Sequence, residues 1–128
     1  MNERKLSIAK KNPNKDDKRG DLFDLGDLGE VHINVLTTGK NRIRGGHYHD
    51  YPEEFYIISG KLEFHELVDG KEVINYFGPD KTIVTTPNIP HYAKAVEDSV
   101  MLEYRPKKIS YKATDYDPWR KLAEESKR

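Results

Sequence analysis

The sequence predicts an all-β single domain with one short helix near its C-terminal end. The chain has 128 residues, enough for one hydrophobic core but not for two. Between residues 22 and 105 it consists of short runs rich in Val, Ile, Tyr, Phe and Thr, separated by Gly, Pro, Asn and Asp, as is typical of antiparallel strands. No long helical pattern interrupts these runs. A sandwich or barrel is therefore favoured over a βαβ fold.

The pattern predicts eight strands. In chain order they span residues 30–36, 41–44, 54–59, 61–68, 71–77, 82–85, 92–96 and 100–105. In the first of them Val31, Ile33 and Val35 fall on alternate positions, as expected of a strand with one face in a core. Asp69 and Gly70 both tolerate positive φ, so they predict a two-residue hairpin turn between the fourth and fifth strands.

The two ends of the chain differ from this middle part. Residues 10–20 are polar, rich in Lys, Asn and Asp, and offer almost nothing apolar to bury, which predicts a flexible polar arm over residues 1–19. The barrel domain is then expected over residues 20–106. A C-terminal extension with a short helix is expected over residues 107–128.

The helix prediction depends on the start of that last segment. Asp117 is a capping residue type and Pro118 suits the first helical position, and strong helix formers follow. We expect Trp119 and Leu122 to pack on the barrel or on a second subunit.

Composition excludes several classes of function. The 22 basic and 22 acidic residues give a formal net charge of zero, so no overall charge attracts nucleic acid or an anionic membrane. No segment has the length and apolarity of a membrane span or a secretory signal. The chain has no Cys, which leaves His and carboxylate as its only strong metal ligands. We therefore expect a cytoplasmic protein whose partner is a small molecule.

The stretch from residue 45 to residue 60 carries the chemistry. His47 and His49 are separated by one residue, so on a strand both imidazoles point to the same face. Glu53 follows a Pro-containing turn and can return beside them, with Glu54 as the alternative ligand because only one of the two can face inward. His91 follows a second turn with two prolines. Three nitrogens and one oxygen form a site that leaves coordination positions open for substrate.

These residues resemble the cupin superfamily. Its first motif reads G, five residues, HxH, three or four residues, E, six residues, G, and here it is matched by His47, His49, Glu53 and Gly60. The upstream glycine of the motif falls on Asn41. The resemblance implies a double-stranded β-helix, or jelly-roll, barrel with one divalent metal ion per chain, either Fe, Mn, Ni, Co or Zn.

The second cupin motif reads G, five residues, PxG, two residues, H, three residues, N. Its histidine falls on His91, whereas its proline, second glycine and final Asn are replaced by Thr86, Asn88 and Ala95. Asn is a frequent substitute for Gly where the backbone is left-handed, so the turn is expected to survive. The resemblance covers residues 20–106.

Arg44, just before the glycines that lead to His47, is also similar to a residue of the sugar-nucleotide 3,5-epimerases and ketoisomerases, which share the cupin barrel. In that family the arginine contacts substrate phosphate and a histidine acts as base without metal. The resemblance implies that Arg44 binds an anionic group of the substrate.

These residues are compatible with three functions. The first is a metal-dependent enzyme, an oxygenase or isomerase, acting on a small polar organic or sugar-like substrate. The second is a binding or sensing protein for a small molecule or carbohydrate, with a metal that only anchors the ligand. The third is a metal-free sugar-nucleotide isomerase or epimerase with His47 or His49 as base.

No acid or base for catalysis is fixed by the sequence. The candidates are Tyr56, Tyr104, His65 and His32. Arg44, Tyr56 and Tyr104 are the candidates for contacts with substrate. An open barrel of this size exposes strand edges, and a homodimer is expected to cover them.

Overall fold

The protein is described by a computed structural model that covers residues 10–11, 18–107 and 112–127. Within these ranges, and in chain order, the elements are β1 (Lys10–Lys11), β2 (Leu22–Leu28), β3 (Val31–Thr38), β4 (Ile43–Tyr48), β5 (Glu54–Val68), β6 (Lys71–Phe77), β7 (Thr82–Val84), β8 (His91–Pro106), β9 (Thr114–Asp115) and α1 (Asp117–Glu125). The predicted all-β architecture with one short C-terminal helix is confirmed.

Strand β8 organises the barrel because it pairs antiparallel with three other strands. Its first half lies between β4 and β5, and its second half lies between β3 and β5. β2 continues the sheet beyond β3, and β6 and β7 both pair with β5. The strands that flank the predicted ligands, β4 and β5, are therefore both hydrogen-bonded to β8.

Two pairs of predicted strands are in fact single long strands. Residues 54–59 and 61–68 join in β5 through Gly60, which has φ +93° and where a Cβ would lie 2.2 Å from Ser99 Oγ. Residues 92–96 and 100–105 join in β8. β2 was not predicted, because two Asp and one Gly among its seven residues mask its apolar pattern. The hairpin turn is confirmed, with φ of +50° at Asp69 and +76° at Gly70.

The inner face of β3 is not the one that the apolar alternation favours. Asn34, Leu36 and Thr38 are buried, whereas Val31 is 36% exposed on the opposite face. The polar Asn34 is inside because it donates a hydrogen bond to a buried carboxylate on the neighbouring strand β8. A hydrogen bond inside the barrel therefore reverses the usual assignment of polar and apolar faces in β3.

The core lies inside the barrel. Its buried side chains, from four of the strands, are Leu36, Ile57, Leu62, Phe64, Ile83, Ala95 and Met101. Burial of this apolar surface is the main source of stability, at about 25 cal/mol per Å² removed from water.

A smaller cluster fixes the C-terminal helix on the barrel. Trp119 and Ala123 of α1 are buried with Ile43 and Tyr92, whereas Leu122, which we expected to pack, is 42% exposed. The helix begins at Asp117 rather than after it. Its N-cap is therefore Tyr116, which makes no side-chain capping bond.

The predicted N-terminal arm lies mostly outside the described residues. Lys10–Lys11 form a short strand that pairs with β2, and Arg19, at the end of the predicted arm, lines the cavity described below. Among the described residues, no helix is both long and apolar enough to cross a membrane.

Candidate metal centre

The four residues predicted as metal ligands come together in the structure. The ligand atoms of His47, His49, Glu53 and His91 all lie within 4.8 Å of one another. His47 in β4 is the register partner of His91 at the start of β8, and the other two residues lie between β4 and β5. Glu53 is 6% exposed and faces the three imidazoles, whereas the neighbouring Glu54 is exposed on the other side of the strand.

Backbone carbonyls fix two of the imidazole rings. His49 Nδ1 lies 2.6 Å from the carbonyl oxygen of Tyr51, and His91 Nδ1 lies 3.1 Å from that of Ile89. A carbonyl only accepts, so each Nδ1 carries the proton and donates it. In a neutral ring the Nε2 atom then presents its lone pair to the cluster, which is the arrangement by which proteins orient histidine ligands. The ring of Tyr51 also stacks on His49, with centroids 4.3 Å apart.

The contact between His49 and Glu53 is the most informative of the site. His49 Nε2 is buried 2.8 Å from Glu53 Oε1, but it has no hydrogen-bond partner with suitable geometry among the described residues. With the proton on Nδ1, this contact brings two electron pairs together unless a cation lies between them. Two ligand atoms at about 2.0–2.2 Å from one ion, at right angles, are about 3 Å apart. The observed separation therefore fits two ligands of one metal ion.

The electrostatics of the cluster support the same interpretation. Burial and the neighbouring imidazoles lower the pKa of His91 to about 4, and burial and the charge of His49 lower that of His47. Both rings are thus neutral near pH 7, as metal ligands must be. Burial opposes the charged forms of His49 and Glu53, but their mutual contact outweighs it, so that the pKa of His49 is raised and that of Glu53 is lowered. In the absence of a metal ion, a proton satisfies this pair.

A cavity of about 270 Å³ opens onto the cluster. His47, Glu53 and His91 form part of its wall. The apolar part of the wall consists of Leu22, Leu36, Phe55, Phe64, Ile83 and Met101. The remaining charged groups of the wall are Arg19, Arg44, Arg105 and Glu103.

Glu103 is a second acid in this cavity, and the sequence did not point to it. It is 7% exposed and accepts a 2.8 Å hydrogen bond from Asn34 Nδ2, its register partner on β3. Burial and the charge of Glu53 raise its pKa. The positive charge of Arg105 acts on both carboxyl groups: it contributes to the lowered pKa of Glu53 and partly opposes the rise in the pKa of Glu103.

Arg44, predicted to contact substrate, lines the cavity in a fixed position. Its Nε donates to Thr38 Oγ1 at 2.8 Å, and its Nη2 donates to the carbonyl oxygen of Thr37 at 2.8 Å. These bonds hold the guanidinium plane against the end of β3. Part of the donor capacity of Arg44 therefore serves the fold.

The four predicted catalytic candidates do not line this cavity. Tyr56 donates a 2.6 Å hydrogen bond to Asp80 at the surface, and Tyr104 lines a separate groove near β3. His65 and His32 each bind a pair of carboxylates elsewhere on the barrel. Their catalytic roles stay predictions without support from position.

The missed wall residues have a signal in the sequence. Met101, Glu103 and Arg105 alternate along β8, so the apolar Met101 inside the core places the two charged residues on the same inner face. A charged pair in alternation with core residues is unusual for a strand, and here it marks the cavity wall. Arg19 had no such signal, because it precedes the first strand of the barrel.

Comparison with known proteins agrees with this architecture. The Cupin domain family matches residues 35–104, which is more than half of the chain. Two mutant structures of Bacillus subtilis oxalate decarboxylase superpose with TM-scores of 0.69 and 0.71; both are 17% identical, cover 84% and 88% of this chain, and are themselves covered over only 30% and 31% of their length.

A conserved Streptococcus pyogenes protein of unknown function superposes with a TM-score of 0.58 at 25% identity, covering 70% of this chain and 75% of that one. No curated protein sequence matches the chain. The decarboxylase likeness concerns the fold alone, and this chain spans less than a third of those proteins. The family match, the jelly-roll barrel and the cluster of three histidines and one glutamate lead to one conclusion: the chain belongs to the cupin family.

Proposed function

We propose that the protein holds one divalent metal ion through His47, His49, Glu53 and His91 and acts on a small polar organic substrate in the adjoining cavity. The observation that carries this proposal is the buried contact of His49 Nε2 with Glu53 Oε1, in which a metal ion would take the place of the shared proton. The donor set of imidazole and carboxylate suits Fe, Mn, Ni, Co or Zn. One solved structure of the similar oxalate decarboxylase concerns its Mn(II) centres, which makes Mn an obvious ion to test.

The reaction class that fits best is an oxygenase or isomerase. A bound ion would supply Lewis acidity or, for Fe, redox chemistry. The residues of the chain supply the rest. The carbonyls of Tyr51 and Ile89 hold two imidazoles in the ligating tautomer, and the apolar wall excludes water. Asn34 holds the Glu103 carboxyl group in the cavity, where it can hydrogen-bond the substrate.

Two other functions use the same residues differently. A binding or sensing protein would use the metal only to anchor its ligand, and turnover of a bound compound would argue against it. A metal-free isomerase would use His47 or His49 as base, and it would need no cation beside Glu53. Metal content separates the metal-free isomerase from the metal-dependent enzyme and the binding protein.

The test is metal content measured by elemental mass spectrometry on protein purified without a metal-binding tag. Wild-type protein should carry close to one Fe, Mn, Ni, Co or Zn ion per chain, and His49→Ala should carry almost none. Glu53→Gln and Glu54→Gln form a matched pair, because they remove the same charge from adjacent positions. The first should weaken binding strongly, since it removes a ligand, and the second should leave binding unchanged.

If wild-type protein takes up none of these ions even after reconstitution, the proposal is wrong and the metal-free isomerase takes its place. If Glu54→Gln loses metal while Glu53→Gln keeps it, the ligand assignment is wrong. A homodimer and a cytoplasmic location stay predictions from the sequence. Light scattering coupled to gel filtration tests the first of them.

A further inference from the structure

Two neighbouring strands of the barrel, β3 and β8, carry most of their apolar side chains on the outside. Asn34 and Thr38 of β3 and Glu103 of β8 are buried on the inner face. The alternate side chains point outward, and register partners in antiparallel strands lie on the same face. The outward set consists of Val31, Ile33, Val35 and Thr37 of β3 and Val100, Leu102 and Tyr104 of β8. Six of these seven are apolar, so the outside of this sheet is more apolar than its inside.

The apolar surface continues onto the strands on either side. On β2, Leu28 is the register partner of Val31, and on β5, Tyr56 is the register partner of Leu102. Leu28 is 69% exposed, more than any other large apolar side chain in the described part of the chain. The strands β2, β3, β8 and β5 therefore form one outer apolar face.

Helix α1 covers a different part of the barrel. Its buried side chains Trp119 and Ala123 pack on Ile43 of β4 and on Tyr92 at the start of β8. Among the described residues of the outer apolar face, by contrast, every apolar side chain is exposed or half-buried. An apolar sheet face is stable only when another layer packs on it, and an exposed patch of this kind marks an interaction site.

We propose that a second copy of the chain packs on the outer apolar face, so that a homodimer forms by stacking two sheets. Sheets stack in this way about 10 Å apart. A second copy presents the same apolar face, and a two-fold axis lets each face contact its own equivalent. The proposed metal site is not needed for this interaction.

The size of the outer apolar face suits such a dimer. β3 has eight residues, so the face is about 26 Å long and, over four strands, about 19 Å wide. This footprint of about 500 Å² lies within the upper range for the largest apolar patch of a monomer. Projecting side chains add accessible area to the footprint. They bring it toward the roughly 800 Å² that each partner buries in a standard interface.

The outer apolar face also carries a projection and a groove. Leu28 is the projection, and a groove of about 220 Å³ lies beside its register partner Val31. Val31, Pro52, Tyr104 and Pro106 form the apolar part of the groove wall. In a two-fold interface, the projection of each copy can enter the groove of the other. A second copy therefore supplies both the apolar surface and the shape that this face accepts.

The first test is the molar mass of the full chain, measured by light scattering coupled to gel filtration. Wild-type protein should be a dimer. The double variant Leu28→Glu, Val31→Glu should be a monomer, because it places two charges in an apolar contact. Ile74→Glu on β6 and Leu122→Glu on α1 are matched controls, since these side chains are 46% and 42% exposed elsewhere, and both should stay dimeric. Thermal unfolding checks that each variant is folded.

The second test is thiol labelling, which locates the interface and decides the matter if the double variant does not fold. The chain has no Cys, so Leu28→Cys and Ile74→Cys each introduce a single thiol. Leu28 is the more exposed of the two in one chain. In the dimer Leu28→Cys should nevertheless react with a maleimide about tenfold or more slowly than Ile74→Cys, because a packed interface excludes the reagent. After unfolding in urea, the two thiols should react equally fast.

Wild-type protein that is monomeric at high concentration overturns the inference. So does a dimer that survives Leu28→Glu, Val31→Glu but dissociates in Leu122→Glu, because that dimer would form through α1. Labelling of Leu28→Cys as fast as that of Ile74→Cys has the same meaning. A wild-type monomer in which the thiol of Leu28→Cys is still protected would show that the chain covers this face itself, through residues outside the described ranges.

Discussion

The metal centre and the cluster around His65 use the same residue types in opposite ways. In the centre, His49 and His91 each donate Nδ1 to a backbone carbonyl and direct Nε2 toward the other ligands. At His65, both ring nitrogens lie 2.5 Å from carboxylate oxygens, Nε2 from Glu63 and Nδ1 from Glu72. His65 also stacks on Tyr92, with centroids 4.1 Å apart.

The difference shows how a metal ligand is distinguished from a structural histidine. A ring whose two nitrogens both lie against carboxylates has both nitrogens engaged in hydrogen bonds, so neither is directed at a shared metal position. Burial and the charges of Glu72 and Glu63 raise the pKa of Tyr92 to about 12, which reflects the negative charge around this ring. His32, between Asp24 at 3.1 Å and Asp27 at 2.8 Å, repeats the arrangement at the surface. Structural histidines here contact two carboxylates, whereas His49 of the metal centre contacts one. The number of carboxylate partners, rather than burial, therefore separates the structural histidines from the proposed metal ligands.

The largest expected effect tests this distinction directly. His91→Ala removes a ligand and should reduce bound metal from about one ion per chain to nearly none. His65→Ala removes an equally buried imidazole, 4% exposed against 5%, and should leave metal content unchanged while it destabilises the fold. Elemental mass spectrometry and thermal unfolding on the same samples measure both effects.

Loss of metal from folded His65→Ala protein would contradict this distinction between ligand and structural histidines, because it would make the cluster around His65 part of the metal site. The variant removes a buried imidazole and leaves the half-buried Glu63 and the exposed Glu72 without their hydrogen-bond partner. Its stability should therefore fall by about 1–3 kcal/mol. Unfolding is measured near neutral pH.

The next effect concerns the C-terminal segment, which contacts both regions. Asp115 of β9 pairs with His47, and Trp119 of α1 packs edge-on against Tyr92 at 4.9 Å. The helix approaches β4 at Gly46, where a Cβ would lie 2.9 Å from the backbone of Arg120. Gly46→Ala should therefore displace the helix, lower stability by about 2–4 kcal/mol and weaken metal binding.

Gly26→Ala is the matched control for this change. Gly26 has φ +82° against +83° at Gly46, but nothing lies within 4 Å of its added Cβ. It should cost only the backbone strain, about 1–2 kcal/mol, and leave metal binding unchanged. Trp119 is the only Trp, so its fluorescence reports the position of the helix. Equal effects of the two substitutions would show that the helix does not support the site.

The left-handed positions explain why the fold and the ligands were predictable although the family motifs are incomplete. Asn41 and Asn88, which replace motif glycines, adopt φ of +69° and +65°. Asp80, at the place of the first glycine of the second motif, adopts +68°. Asn and Asp tolerate this conformation better than other side chains. The turns that aim His47 and His91 are thus kept by backbone geometry and not by residue identity.

The surroundings of the site were harder to predict because they depend on register across strands. Glu103 meets Asn34 only because β8 pairs with β3 in one particular register. His65 meets Glu72 because the Asp69-Gly70 turn sets the pairing of β5 with β6. A single sequence gives the faces of a strand, but it rarely gives the partner strand and its register.

A smaller effect should distinguish the histidines of the centre from one another by pH. In the metal-free protein the pKa of His91 is lowered to about 4, so the unfolded chain takes up its proton below about pH 6.5 while the folded one does not. His91 therefore makes stability fall as the pH drops from about 6.5 to about 4. His49, whose pKa is raised, acts in the opposite direction and favours the fold at low pH.

Denaturant unfolding of metal-free protein at several pH values measures this contrast. His91→Ala should flatten the acid-side loss of stability, and His49→Ala should steepen it. Identical pH dependence of the two variants would contradict the assigned protonation states. Metal-loaded protein should release its ion over the same acid range, since protons and metal compete for the same nitrogens.

The smallest effect is expected at Glu72, the more exposed of the two carboxylates that contact His65. The side chain of Glu72 is 43% exposed, whereas that of Glu63 is 23% exposed, so solvent screens the bond of Glu72 to His65 more strongly. Glu72→Gln should therefore lower the free energy of unfolding by about 0.5 kcal/mol or less, and Glu63→Gln should lower it more. Denaturant unfolding measures both, with metal content as the control. If Glu72→Gln were the more damaging change, solvent exposure would not set the strength of these two hydrogen bonds, and His65 would be held mainly by the partner that faces water.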